Sequence, residues 1–192
     1  MNWRVTRTGR TGEADPTRRW HASRSLTPAL GDIIPEIAAG PNGSVYLTWQ
    51  DATLAPSGSA IAFAKSLDGG LTWSTPVAIN KVLTTQAFTP SIRVLPGGTI
   101  GVTHYDLRFN TPDAGATLPT DYWFLHSHDG GTTWAEARVT NTSFDMREAP
   151  DASGLFTGDY EGLTVQSGAF VAAFDQTHGN DPGSIFVSRL TG

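Results

Sequence analysis

An eight-residue phrase occurs twice in this chain. Ser66-Leu67-Asp68-Gly69-Gly70-Leu71-Thr72-Trp73 and Ser127-His128-Asp129-Gly130-Gly131-Thr132-Thr133-Trp134 both read S-x-D-G-G-x-T-W, and the second begins 61 residues after the first. Repetition at such a period means that one small structural unit is built several times and stacked on itself, which excludes most folds at once. Another step of 61 lands on Ser188, in Ile185-Phe186-Val187-Ser188. Phe63, Phe124 and Ile185 stand three residues before the three serines, so the third copy keeps the strand while losing the Asp-Gly-Gly.

A second register runs beside the first. Pro35 to Ser44 leads to Trp49-Gln50-Asp51, Pro90 to Thr99 leads to Tyr105-Asp106, and Asp159 to Leu163 leads to Phe174-Asp175, with 16 residues from start to aspartate each time. Each copy reads as strand, glycine turn, strand, the pattern of a β-hairpin; in the third the turn is Gln166-Ser167-Gly168. A partial copy stands at the start, where Asp15 precedes Trp20 by five residues, as Asp68 precedes Trp73. The units are four-stranded, strands A to D, with the S-x-D-G-G-x-T-W segment between C and D. The expectation is an all-β fold, a β-propeller of antiparallel blades with about three blades present. Residues 1–30 are read as the outer strand of a preceding or closing blade, and the blades as about 31–89, 90–157 and 158–192. A β-sandwich also has many short strands, but it does not explain the repeat.

Composition narrows the function. A net charge of −5 argues against a nucleic-acid partner, and no apolar run approaches the length of a membrane span. The chain has no cysteine, so disulfide and thiolate chemistry are excluded. The five histidines, His21, His104, His126, His128 and His178, lack metal-ligand spacing. No metal and no cofactor is expected.

The repeated segment resembles the Asp-box, or BNR, repeat. From about residue 31 onward the chain resembles bacterial sialidase-like proteins, with Tyr105-Asp106-Leu107-Arg108 and Gly158-Asp159-Tyr160-Glu161-Gly162-Leu163 as further family-like segments. The resemblance implies that Ser66, Asp68, Gly70 and Trp73, with Ser127, Asp129, Gly131 and Trp134, are fold residues. Glycine permits the positive φ of a tight turn, aspartate accepts its N–H groups, and tryptophan packs. It also implies hydrolysis of terminal glycosidic bonds of acidic sugars, a carbohydrate ligand, and secretion, although no signal peptide stands at the N-terminus.

Topology says where to look. In an up-and-down blade the C–D turn shares a face with the A–B turn, so the starts of A and the ends of B lie together on the opposite face. That face receives Asp51, Asp106 and Asp175, with Arg108 beyond Asp106 and Arg147 in the loop before the last blade. The resemblance implies a tyrosine nucleophile assisted by a glutamate, with an aspartate as acid/base, so the expected catalytic group is Tyr160, Glu161, Asp106 and Asp159; a phenol nucleophile needs a carboxylate to take its proton. The expected substrate contacts are Arg108, Arg147, Asp51 and Asp175, because guanidinium forks suit a sugar carboxylate. Each also has a purely structural alternative: turn-capping aspartates, a blade-to-blade ion pair at Arg108, a packing motif at residues 158–163. The chain lacks the F-R-I-P segment that supplies the first arginine of sialidases, and Pro35-Glu36-Ile37-Ala38 stands at a strand start instead. The alternatives to an enzyme are therefore a non-catalytic carbohydrate- or protein-binding propeller, or a fragment of a larger one. Three blades do not close a ring; a homodimer completing six blades is one way to close it.

Overall fold

A computed structural model describes residues 35–111, 116–151, 154–155, 157–158 and 161–192. The strand expected within 1–30 lies outside the described residues, as do Asp159 and Tyr160. The rest is all-β, its helical content confined to short 3-10 turns. No helix among the described residues is long and apolar enough to cross a membrane.

Three antiparallel sheets follow one another along the chain. The first runs β1 (Glu36–Ala39), β2 (Val45–Asp51), β3 (Ala60–Ser66), β4 (Val77–Ala78) in spatial order. The second runs β5 (Ala87–Val94), β6 (Ile100–Asp106), β7 (Pro119–Ser127), β8 (Ala135–Arg138), with the short β9 (Phe144–Asp145) pairing to the start of β7. The third holds β10 (Gly162–Gln166), β11 (Ala169–His178) and β12 (Asp181–Leu190). Sequential up-and-down strands in sheets stacked face to face make this a β-propeller.

Burial patterns fix the stacking. Every residue of β6 is buried, as expected for a strand covered on both faces by neighbouring sheets. Ala38, Tyr46, Ile61 and Phe63 of the first sheet pack with Ile92, Ile100, Val102 and Leu125 of the second. Tyr105, Tyr122 and Phe124 of the second pack with Leu163, Phe170, Ala172 and Phe174 of the third. Gly101 shows how close the second contact is: a β-carbon there would sit 2.6 Å from the Phe170 ring. On β12, by contrast, exposed and half-buried residues alternate, and Ile185 and Val187 are largely exposed.

The hairpins follow their turn residues. Ser167 and Gly168, both at positive φ, join β10 to β11 in the manner of a type I′ turn. β5 begins at Ala87, ahead of the expected Pro90, and its register breaks between Phe88 and Ser91. Pro90 has no N–H for the ladder, and Thr89 takes φ 49°, a conformation unusual for a β-branched residue. The third hairpin also differs from expectation: β11 continues past Asp175 to His178 before turning at Gly179, so Asp175 lies within a strand, opposite Ile185.

Candidate functional site

The two S-x-D-G-G-x-T-W segments form nearly identical turns on one face. Asp68 Oδ1 accepts from Ser66 Oγ at 2.7 Å and from the Leu71 and Thr72 N–H groups at 3.0 and 2.8 Å, while Oδ2 accepts from Thr72 Oγ1 at 2.6 Å. Asp129 repeats this with Ser127, Thr132 and Thr133 at 2.6–2.9 Å. The Gly70 and Gly131 N–H groups donate to Ser66 and Ser127 Oγ. These bonds, from Thr72 above all, hold the exposed Asp68 carboxyl down at about 2, and those from Thr133 hold Asp129 lower still. The second turn docks on the first sheet: Trp134 meets Phe63 edge-on at 5.1 Å and Lys65 Nζ donates to the Gly130 carbonyl. The Gly69 N–H donates to the carbonyl of Gly43, in the β1–β2 turn, so these turns share a face with the A–B turns.

On the opposite face the carboxylates are buried. Asp106 at the end of β6 is fully buried and binds Arg108 Nε at 2.7 Å. Arg108 extends Nη1 and Nη2 to Glu136 on β8 at 2.9 and 3.0 Å, and its Cζ lies 3.4 Å over the Trp123 ring. Burial works against the guanidinium's charge, but the hydrogen bonds to Glu136 and Asp106 outweigh it and its pKa rises. Burial likewise raises Asp106, with Arg108 opposing. His104 stands inside this cluster, 3.9 Å from Asp106 and 3.8 Å from Glu136, and is held neutral, down to about 3, by burial and by the Arg108 charge. The structure thus pairs Asp106 with Arg108, and Arg108 already holds two carboxylates, both from its own sheet and neither from a neighbouring blade.

Glu161 lies at the inner end of the third sheet, just before β10. It is 8% exposed, and Oε2 makes no hydrogen bond among the described residues. Burial pushes its carboxyl up to about 8; the Tyr122 and Tyr105 hydroxyls beside it oppose the rise, and the charges of Asp175 and Glu36 add to it. Burial, then the nearby Glu161, pushes both phenols well above their ordinary value. Tyr105 OH is further tied to the backbone of Asp175, donating to its carbonyl and accepting from its N–H. Glu36, at the start of β1, reaches the same region. Its Oε2 accepts from Ser91 Oγ at 2.9 Å, the Ile92 N–H at 3.3 Å and Arg93 Nη1 at 3.0 Å, joining the inner strands of the first two sheets.

Of the remaining expected residues, Asp51 and Arg147 fall apart from this centre and Asp175 borders it. Asp51 accepts from Thr53 N and Oγ1 at 2.7 and 2.6 Å and from Trp49 Nε1 at 3.1 Å, capping the turn after β2. Asp175 is raised by burial, and its Oδ1 lacks a hydrogen bond among the described residues. Arg147, on the turn after β9, is exposed. Glu36, Tyr105, Tyr122 and Glu136 were not singled out from the sequence. Glu36 was findable, since it stands at an A-strand start; the others depend on which sheets touch. Among the described residues no three His, Asp or Glu side chains are grouped to hold a metal ion.

Solved structures resemble this fold at low identity. A Hadza microbial sialidase, Hz136, aligns at 19% identity and TM-score 0.53 over 81% of this chain. An α-L-arabinanase from Penicillium chrysogenum, solved with arabinobiose, aligns at 18% and 0.55 over 81%, and a thermostable family-43 glycoside hydrolase at 14% and 0.51 over 82%. The chain spans only 34%, 44% and 50% of those three structures. No protein-family model matches the chain, and no curated protein sequence does. At such identities the likeness shows the fold alone: the chain is similar to part of a β-propeller of the kind on which these glycoside hydrolases are built.

Proposed function

We propose that the chain belongs to a sialidase-like propeller glycoside hydrolase acting on terminal bonds of acidic sugars, with Glu161 as its proton donor. One observation carries the reading: Glu161 is a buried carboxyl group at the inner end of a blade, on the face away from the repeated turns, and burial pushes it up to about 8. A glycosidic oxygen leaves only when protonated, and a carboxylic acid raised to near the working pH suits that task. Glu36, held by Arg93 and Ser91, supplies the second carboxylate for water activation or for attack at the anomeric carbon. Tyr105 and Tyr122 stand beside Glu161, and their raised phenols make them poor nucleophiles. Tyr160, next to Glu161 in the chain, is the alternative nucleophile, in which case Glu36 is the carboxylate that takes its proton, and Asp159 stays a candidate of the same group. Phe109, half-exposed beside Trp123 and Arg138, offers a ring for a sugar to stack on, and Arg147 a charge for an acidic one.

A panel of fluorogenic glycosides, sialoside and arabinofuranoside included, tests this reading. Turnover lost in Glu161→Gln supports it. Turnover unchanged in that variant, or absent for a folded wild-type protein, overturns it. A second reading, a glycan-binding propeller without turnover, is favoured by the engagement of Arg108: both edges of its fork are taken by Asp106 and Glu136, so it offers no free pair of donors for a bidentate grip on a sugar carboxylate. Binding on a glycan array without hydrolysis would select it. A ring closed by two chains is part of the same proposal; light scattering with size exclusion supports it at twice 20.5 kDa and overturns it with a compact monomer.

A further inference from the structure

On the face opposite Glu161, the second repeat differs from the first by one residue with chemistry of its own. The variable position after the serine is the exposed Leu67 in the first turn and His128 in the second. His128 is two residues from His126, the spacing that puts both side chains on one face of a strand end. Their rings meet: His126 Nδ1 is 3.2 Å from His128 Nε2. Two metal–nitrogen bonds of about 2.0–2.1 Å at a tetrahedral angle place their nitrogens about 3.3–3.4 Å apart, so the pair already has the bite of a two-histidine chelate.

The surroundings fit the same purpose. A ligating histidine usually donates its other ring N–H to a fixed acceptor, which sets the tautomer and frees the ligating lone pair. Thr99 Oγ1, in the turn between β5 and β6, lies 3.2 Å from His128 Nδ1. With that nitrogen protonated and donating, Nε2 carries the lone pair and points at His126. The His126 ring is held by stacking on Phe124, at 5.6 Å between centroids and 17° between planes. Gly192 packs against His126 Nδ1, where a β-carbon would come within 2.4 Å and fill the space an ion needs.

We propose that His126 Nδ1 and His128 Nε2 form a binding site for a borderline transition-metal ion, Zn²⁺ or Cu²⁺, completed by water. Binding leaves the proton count unchanged: the hydrogen on His126 Nδ1, which bridges the two rings in the free protein, moves to Nε2 as the ion takes its place. The site is independent of the proposed hydrolase reaction, since it lies on the face of the repeated turns and uses none of that reaction's residues. An ion that binds only the folded chain also raises its melting temperature.

The test uses untagged protein, because a histidine tag would outcompete a two-residue site. Titration with ZnSO₄ and CuCl₂, followed by calorimetry and melting temperature, is expected to give one ion per chain, with Cu²⁺ tighter than Zn²⁺. His128→Ala, at an exposed position, is expected to abolish saturable binding without unfolding the chain. Thr99→Val is expected to weaken it roughly ten-fold through loss of the orienting hydrogen bond, and Gly192→Ala to weaken it by blocking Nδ1. Imidazole ¹⁵N signals of the wild type should report His126 Nδ1 and His128 Nε2 as the ligating nitrogens. Wild-type binding no tighter than that of His128→Ala, or ¹⁵N signals that move only at His178, would overturn the proposal.

Discussion

The two faces of this propeller treat the same functional group in opposite ways. Asp68, exposed in its turn, accepts hydrogen bonds from Ser66, Leu71 and Thr72, all within four residues, and its carboxyl falls to about 2. Glu161 on the other face is surrounded by Tyr105, Tyr122 and Asp175, contributed by other strands and sheets, and its carboxyl rises to about 8. Local donors stabilise a carboxylate when water is present to share the work. Burial between sheets, with too few donors, favours the neutral acid. The first arrangement serves folding, because it holds a turn. The second is costly to folding, and a raised carboxyl group in such a place is a common mark of a working site.

Removing the acid is the sharpest way to break that contrast. Glu161→Gln is expected to lower any glycosidase turnover by roughly 10²–10⁴-fold, the range for loss of a general acid, while the wild-type rate should fall as pH rises through about 8. The same group acts on stability. Its folded value lies above the ordinary 4.5, so its favourable contribution is complete below about 4.5 and is lost as pH climbs to about 8. His104 works the other way: held down to about 3 from 6.5, it leaves the fold unburdened above 6.5 and destabilises it as pH falls toward 3. Denaturant titrations at pH 5 and pH 9 should therefore differ more for the wild type than for Glu161→Gln. An unchanged difference in the variant would show that Glu161 ionises normally.

Arg108 comes next. Its side chain is 9% exposed and bridges Asp106 on β6 to Glu136 on β8. Truncation to alanine leaves two buried carboxylates facing each other and His104, and breaking such a pair typically costs about 3–5 kcal/mol. The expected result is a large drop in denaturation midpoint, partly recovered by the double change Arg108→Met with Glu136→Gln. A loss below about 1 kcal/mol, the level of a surface pair, would show that water reaches the cluster.

The repeated turns offer an internal control, because the same substitution meets different neighbours. Gly70 and Gly131 both sit at positive φ, 91° and 82°, so alanine at either position strains the backbone by about 1–2 kcal/mol. At Gly70 the new methyl would touch only the Trp73 ring edge at 3.9 Å. At Gly131 it would come within 2.4 Å of the Phe63 ring, which belongs to the neighbouring sheet. Gly131→Ala should cost a further 1–3 kcal/mol or so from overpacking. Equal losses at the two sites would mean that the turn does not press on Phe63.

This asymmetry marks how far the sequence could be read. The turns were legible because the partners of Asp68 and Asp129 lie within the repeated segment, and the 61-residue period imposed the stacked sheets. The face rule was legible too, since strand direction alone puts Asp106, Glu161 and Arg147 on the side away from the turns. What was not legible depends on contacts between sheets. Nothing near Glu161 in the chain announces that Tyr105 and Tyr122 will flank it, and nothing near Arg108 announces Glu136, 28 residues on. The end of strand B at Asp175 misled for a related reason: the third hairpin closes tightly at Gly179, so the strand runs on where the first two blades open into loops.

The smallest effect belongs to the exposed carboxylate. Asp68→Asn keeps the size of the side chain but replaces one acceptor oxygen with a donor and removes the charge that the turn's N–H groups face. The melting temperature should fall slightly at neutral pH. Because the folded value lies below the ordinary 3.8, the contribution of Asp68 is present above about 4 and is lost as pH drops through about 2. Wild type and Asp68→Asn should therefore converge in stability as the solution is acidified, whereas wild type and Glu161→Gln should diverge in the alkaline direction. Two acids on opposite faces, each replaced by its amide, would then differ in the window where the gap from wild type changes: between about 4 and 2 for Asp68, and between about 4.5 and 8 for Glu161. If Asp68→Asn proved neutral at every pH, the turn would be held by its glycines and threonines alone, and the aspartate's place in both copies of the repeat would need another physical cause.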